Sequence, residues 1–289
     1  MERINFREPR DLGGILDVAA RFLKQNFVKM VKTTFPIFLV PLALGGVLSG
    51  VASSEVWGGL DTSVPQTDPF AMFGPAYFGG LFFIMIGYLL FYSSTNAYIK
   101  LYQDGEEEIG MKDVLGVVGK TFLGYFFGAI LFVVVTYIGI FVCLFPGIYL
   151  SVVLIPMFMI MTAEGTGVFA SWSRAFRLIK GHWWQTFGLY IVTGLIYFGL
   201  MVVSVIPMYA FVFADVFTTV SQNPGDPEVL AESMGGITQI LTYLSPLYYL
   251  LMACISLVYV VVVAAKYYSL AEELDGTSDI EKIEDIGTA

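Results

Sequence analysis

Charge is scarce in this 289-residue chain: Asp, Glu, Lys and Arg make up 13% of it, against about 25% in a soluble globular domain. Histidine occurs once, at His182, and cysteine twice, at Cys143 and Cys254. Two cysteines in separate apolar blocks cannot by themselves build a structural zinc site, and they argue against a disulfide framework. The formal charge of -9 argues against nucleic acid as a partner, because phosphate binding needs clustered cations. An apolar h-region directly behind the charged stretch 1–10 is also lacking, so a cleavable signal peptide is not expected.

What is present is hydrocarbon. Hydrophobic residues make up 57% of the chain and the mean hydropathy is +0.75. This excess comes in blocks of the length that crosses a bilayer, about 20 residues each. A soluble enzyme, a disordered chain and a nucleic-acid-binding domain are excluded together. The blocks predict six transmembrane helices near 33–53, 77–101, 121–143, 147–163, 185–213 and 244–270. Residues 121–162 are apolar without interruption and too long for one span. Phe145-Pro146-Gly147 predicts the break, since proline disfavours helix in the residue before it and glycine permits a tight turn. A closed barrel would need alternating strands, whereas 126–142 is apolar on every side.

The cations are absent from two stretches. All 15 Lys and Arg fall in 1–32, 100–120, 164–184 and from Lys266 onward, while 54–76 and 214–243 hold none. Those two carry Glu55, Asp61, Asp68, Asp215, Asp226, Glu228 and Glu232 instead. Cations stay on the cytoplasmic side, which predicts both termini in the cytoplasm and a multi-pass protein.

Each pair of spans follows an amphipathic stretch. In the first, Leu12, Ile15, Leu16, Ala19, Leu23, Phe27 and Met30 recur at helical spacing, with Asp17, Arg21 and Lys24 on another face. In the third, Val168, Trp172, Ala175, Phe176, Ile179 and Trp183 form the stripe, opposite Arg174, Arg177 and Lys180. The middle copy, Met111, Val114, Leu115, Val118 and Phe122, is shorter. Arg21, Lys24 and Phe27 align with Arg177, Lys180 and Trp183. The fold expected is all-α: a polytopic bundle of six helices in three parallel repeats, each an interfacial helix plus a helical hairpin. The repeats run near 10–101, 110–163 and 166–271, and an acidic tail follows over 272–289.

Pro146-Gly147-Ile148-Tyr149-Leu150, Glu164-Gly165 and the run from Ser173 through Arg174, Phe176, Arg177, Lys180, Gly181 and His182 to Trp183-Trp184 carry a resemblance. So does the opening Leu12-Gly13-Gly14-Ile15-Leu16-Asp17 with Asn26-Phe27 behind it. The chain resembles the bacterial membrane domain of glycerophosphoryl diester phosphodiesterases and its stand-alone relatives of unassigned function. The resemblance implies six helices in the cytoplasmic membrane. It does not imply hydrolysis, which in that family belongs to a separate soluble barrel.

Candidate sites are few. Arg21, Lys24, Arg174, Arg177, Lys180, Trp183 and Trp184 are candidate contacts to lipid headgroups or a partner protein. Asn96, after Ser93-Ser94-Thr95, is the candidate intramembrane polar site, as interhelical glue or as a pocket lining. His182 beside two tryptophans reads as an interfacial residue rather than a base. Lys100, Glu164 and Lys266 sit near span ends, where long side chains reach water. Pro41, Pro156, Pro207 and Pro246, with Gly46/Gly50 and Gly124/Gly128, read as helix packing or as a cavity. Residues 54–76 and 214–243 could fold over the external face or contact a partner, and the tail is expected to be mobile.

Catalytic residues, cofactors and metals are not expected. The leading expectation is a non-catalytic membrane scaffold or accessory subunit, with membrane lipids and a membrane or cytoplasmic protein as partners. The alternative is a carrier for a lipid or amphipathic molecule through a cleft between proline-bent helices. A membrane-embedded enzyme ranks third.

Overall fold

The computed structural model describes residues 3–58, 73–222 and 227–276. Their elements are α1 (Leu12–Gly58), α2 (Pro75–Gln103), α3 (Met111–Val142), α4 (Leu144–Leu154), α5 (Met157–Glu164), α6 (Val168–Ile179), α7 (Trp183–Gln222) and α8 (Pro227–Asp275). Among the described residues there is no strand. Six stretches are long and apolar enough to cross a membrane: α1, α2, α3, α4 with α5, the first part of α7 and the last part of α8. This is an all-α, multi-pass membrane protein.

The chain divides into two compact units. The first comprises Met1–Ile37, Leu89–Tyr197 and Ser256–Ala289; the second comprises Phe38–Tyr88 and Phe198–Ile255. The 14 cations among the described residues all lie in the first unit.

In the first unit the core gathers Tyr125 of α3 with Leu89, Met157 and Met161. Gly128 admits the methionines: a Cβ there would meet Met161 Cε at 3.2 Å and Met157 Cε at 3.3 Å. The α3–α4 hairpin turns on a single residue, Cys143, with φ -164° and ψ 136°. The break therefore falls three residues before Pro146. Pro146 stands inside the first turn of α4, where a backbone N–H has no intrahelical acceptor and its loss is harmless. Gly147 is helical and serves another purpose than the expected turn. A Cβ at Gly147 would strike the Ile140 backbone, and one at Gly139 would lie 2.9 Å from Gly147 Cα. The hairpin closes because two glycines let the helix backbones touch.

Pro156 ends α4, and α5 resumes at Met157. Together they make one interrupted span. The three amphipathic stretches differ in how they join their spans. The first continues without a break into α1, and the second into α3. Only the third is a separate helix, α6. The reason is a single residue. Gly181 takes φ +86°, a conformation that side chains rarely adopt; the aligned residue in the first copy is Gln25, which stays helical.

The buried face of α1 is also rotated from the expected stripe. Ile15, Val18, Ala19, Phe22, Asn26 and Met30 are buried, whereas Leu12 is 37% and Phe27 42% exposed. The cause is the extended segment before α1. Phe6 is fully buried and its ring lies 5.1 Å from that of Phe22. Ile4 and Phe6 are tied to α2 by three bonds: Ile4 N to Tyr102 Oη at 3.0 Å, Gln103 Nε2 to Ile4 O at 3.1 Å, and Phe6 N to Gln103 Oε1 at 3.1 Å. Arg10 N donates to Ser269 Oγ of α8 at 2.9 Å. Asp11 Oδ1 then accepts Gly14 N at 2.8 Å and caps α1.

In the second unit, α1 packs against α2 and α8 through small residues. A Cβ on Gly46 would sit 2.5 Å from Pro246 Cα, and one on Gly50 2.7 Å from Thr242 O. Thr242 Oγ1 donates to Gly50 O at 3.0 Å. Pro246 cannot donate to Thr242 O, its acceptor four residues back. Ser245 Oγ stands in, 2.7 Å from Thr242 O and 2.6 Å from Gly46 O. Gly46, Gly50 and Pro246 thus form a helix–helix contact.

Most of 214–243 is helical, in the end of α7 and the start of α8, and 54–58 ends α1. The remainder of the two cation-free segments, 59–72 and 223–226, lies outside the described residues. Helix α8 runs to Asp275, so the tail begins later than residue 272. Residues 277–289 also lie outside the described residues.

Candidate functional site

Most of the charged chemistry of the first unit that is paired across helices converges where α5 and α8 end beside α6. Glu164 closes α5, followed by Gly165 in the left-handed region. A carboxylate at a helix C-terminus meets the negative end of the macrodipole and needs compensation. Two donors supply it. Arg174 Nε of α6 reaches Glu164 Oε1 at 3.0 Å, and Tyr267 Oη of α8 donates to the same oxygen at 3.1 Å. Arg174 also grips Asp275 with both terminal nitrogens, Nη1 to Oδ1 at 3.2 Å and Nη2 to Oδ2. This is the planar fork geometry that favours arginine over lysine. Hydrogen bonding to Asp275 raises the Arg174 pKa, outweighing its burial, and Glu164 adds to the effect.

Nearby, His182 Nε2 lies 3.6 Å from Glu273 Oε1. The only histidine thus faces a carboxylate that its sequence neighbourhood does not reveal. Lys266 is 4% exposed; it does not reach water as its place near a span end suggested. Packing of α8 in the core of its unit buries it.

The remaining candidates do not form one cluster. Arg21 pairs with Asp17 of its own helix at 2.9 Å. Lys24, Arg177 and Lys180 are exposed and make no ion pair among the described residues. Trp183 stacks between Tyr149 and Phe187, with centroids at 5.7 and 5.0 Å. Trp184 is 77% exposed. Such a group of amphipathic rings suits the headgroup level.

Asn96 lies in the core of the first unit. Its Nδ2 donates to Tyr125 Oη at 2.8 Å. Ser93 Oγ and Thr121 Oγ1 are 3.3 Å apart. Both pairs join α2 to α3, which is the hydrogen-bonding role expected of Asn96.

Two cavities among the described residues of this unit bear on the candidates. One, of about 580 Å³, has Lys29 and Lys32 of α1 on one side and Glu106, Glu107 and Glu108 on the other. The other, of about 400 Å³, is lined by Arg7, Glu164, Arg174, Tyr267, Tyr268 and Asp275, among others. Sequence reasoning selected Arg174 but missed Arg7, Tyr267, Tyr268 and Asp275. Arg174 and Asp275 are 101 residues apart, and no local pattern links them. The sign that Ile4 and Phe6 interrupt a charged N-terminal stretch could have shown that this segment docks and carries Arg7 with it.

No protein family, curated protein or solved structure matches the chain.

Proposed function

We propose that the protein is a scaffold or accessory subunit of a bacterial cytoplasmic membrane, with both termini in the cytoplasm. Membrane lipids and another membrane or cytoplasmic protein are its partners. The observation that carries this reading is the exposure of Lys24, Arg177, Lys180 and Trp184. These cations make no ion pair among the described residues, and an unpaired juxtamembrane cation attracts anionic headgroups or acidic partner surfaces at about 1 kcal/mol each. The orientation is supported by the confinement of every described Lys and Arg to one of the two compact units. The resemblance to a membrane module usually joined to another domain points the same way. The carrier reading is less well supported, because Pro246, one of the prolines on which it relied, is engaged in close packing against Gly46.

Affinity purification in mild detergent, with protein and lipid mass spectrometry, tests the proposal. A partner protein retained by the native chain and lost from the Lys24→Glu, Arg177→Glu, Lys180→Glu variant is the expected result. Retention of the same partners by that variant would remove the basis of the reading. Orientation is checked separately. A cysteine at Ser221, in a variant whose Cys143 and Cys254 are serine, reacts with an impermeant maleimide from outside the cell; one at Lys112 does not.

A further inference from the structure

The cavity of about 580 Å³ between α1 and the turn after α2 has a buried floor with polar atoms that lack partners. Tyr98 of α2 is 3% and Asn26 of α1 6% exposed, and both line the cavity. Asn26 Nδ2 donates to Phe22 O of its own helix at 3.2 Å. Its Oδ1 accepts no hydrogen bond, and the Tyr98 hydroxyl makes none, among the described residues. Neither atom is sealed. The partnerless side-chain atoms closed to solvent among the described residues belong to Arg10, Thr95, Thr136, Tyr190 and Tyr268. The small exposure left to Asn26 and Tyr98 therefore includes an acceptor and a hydroxyl, reachable from the cavity they line. Buried polar groups in native proteins find partners, and a cavity of this volume holds more than a water.

The walls define the ligand. Lys29 and Lys32 stand on α1, and Glu106, Glu107 and Glu108 on the turn after α2. Thr33 Oγ1 donates to Ile109 O at 3.4 Å and ties the two walls together. Yet none of these lysines and glutamates makes an ion pair among the described residues. Opposite charges thus line one cavity without neutralising each other. Arg3, the remaining cation of the lining, is engaged: its guanidinium donates to the backbone oxygens of Tyr102, Gly105 and Glu106 and lies 4.8 Å from the Tyr102 ring centre. A lone anion would meet the carboxylates, and a lone cation the lysines; a ligand with both signs suits both walls. Its cationic end needs N–H donors, because the acceptors are carboxylates, an amide oxygen and a hydroxyl. The Tyr102 ring, which would hold a quaternary ammonium, is already covered by Arg3. Lysines bind phosphate as point charges. Residues 33–54 of α1 carry no charge, so the cavity lies at the polar end of a span, at headgroup depth. We propose that it binds a phosphoethanolamine group, the phosphate on Lys29 and Lys32, the ammonium on the glutamates, and the Tyr98 hydroxyl and Asn26 Oδ1 completing its hydrogen bonds. The group belongs either to phosphatidylethanolamine or to soluble phosphoethanolamine. The site shares no residue with the exposed cations of the accessory role and stands without that role.

The test uses the full chain in three variants beside the native form: Glu106→Gln, Glu107→Gln and Glu108→Gln together; Lys29→Gln and Lys32→Gln together; and Tyr98→Phe. The first two change only exposed side chains and decide alone if the phenylalanine variant does not fold. In the lipid arm, native mass spectrometry counts lipids retained from nanodiscs of phosphatidylethanolamine, phosphatidylcholine and phosphatidylglycerol in equal amounts. In the soluble arm, equilibrium dialysis in detergent measures phosphoethanolamine, with phosphocholine and glycerol 3-phosphate as controls. A preference for the ethanolamine compound over both controls of about tenfold or more is expected in at least one arm, and the arm that shows it identifies the source. The preference over choline should vanish in the glutamine triple variant. Binding should weaken about tenfold or more in the lysine variant and about threefold or more in a folded Tyr98→Phe chain. No ethanolamine preference in either arm, a choline or glycerol compound held equally well, a preference over choline that survives the triple variant, or smaller losses in the other folded variants overturns the proposal.

Discussion

Asn96 Nδ2 and Tyr125 Oη meet at 2.8 Å, and the same hydroxyl reaches Phe158 O at 2.9 Å and Thr162 Oγ1 at 2.7 Å. One phenol thereby joins α2, α3 and α5. Asn96 is 4% and Tyr125 0% exposed, so no water competes for these groups. Asn96→Leu is expected to lower stability by about 0.6–2 kcal/mol, the range for interhelical polar bonds. Tyr125→Phe should cost more, since it strands Asn96 Nδ2 and also removes the phenol's own bonds to Phe158 O and Thr162 Oγ1 of α5. Thermal unfolding in detergent measures both. An unchanged midpoint for Asn96→Leu, together with loss of a bound ligand, would mean that Asn96 lines a pocket instead.

The α3–α4 hairpin makes a contrast between two glycines. Gly147→Ala places a methyl against the Ile140 backbone, where neither side can yield as a flexible side chain would. Overpacking of this kind costs about 1–3 kcal/mol. At Gly116, in α3, the space that a methyl would occupy is open, with no neighbouring atom within 4 Å. Gly116→Ala should therefore gain up to about 1 kcal/mol from helix propensity. Opposite shifts of the unfolding midpoint are the expected result. Equal shifts would mean that the hairpin does not depend on backbone contact.

These two cases mark what the sequence discloses and what it hides. The six spans were readable because about 20 successive apolar residues have few alternative uses. Asn96 was readable because an amide inside such a run must find a partner. The turn at Cys143 was not, since proline marks either the break itself or the first turn after it, and pattern alone does not choose. The rotation of the buried face of α1 toward Phe22 and Asn26 depends on Phe6, a residue outside the helix. The junction of Arg174 with Asp275 depends on how α6 and α8 dock. Long-range placement of single polar residues leaves no periodic trace, and that is why the cavity residues were missed.

The N-terminal segment should act as a clamp on the first unit. Phe6→Ala removes a fully buried ring that contacts Phe22 and Tyr268. Phenylalanine-to-alanine changes in a core cost about 3–5 kcal/mol. The loss should appear first as faster amide exchange at Ile4 and Phe6, whose N–H groups are bonded to α2. Exchange at the α3–α4 hairpin should change less. Uniform acceleration across all helices would indicate that the segment is part of the global core rather than a local clamp.

The middle of α6 is tied to the end of α8 by Arg174 and Asp275. Hydrogen bonding to Asp275 raises the Arg174 pKa, so the guanidinium stays charged at every pH at which the protein is handled. The stability this shift contributes is therefore constant through the neutral range and is lost only in strong alkali. Arg174 is 14% and Asp275 37% exposed at the side chain, and solvent screens the pair in part. A coupling of roughly 0.5–1 kcal/mol is expected from a double-mutant cycle of Arg174→Gln and Asp275→Asn. Arg174→Gln alone should cost more than Asp275→Asn alone. It leaves Glu164 at the C-terminal end of α5 with only the Tyr267 hydroxyl of its two donors, whereas Asp275→Asn leaves Arg174 paired with Glu164. Equal costs for the two single changes would mean that Glu164 does not need its arginine.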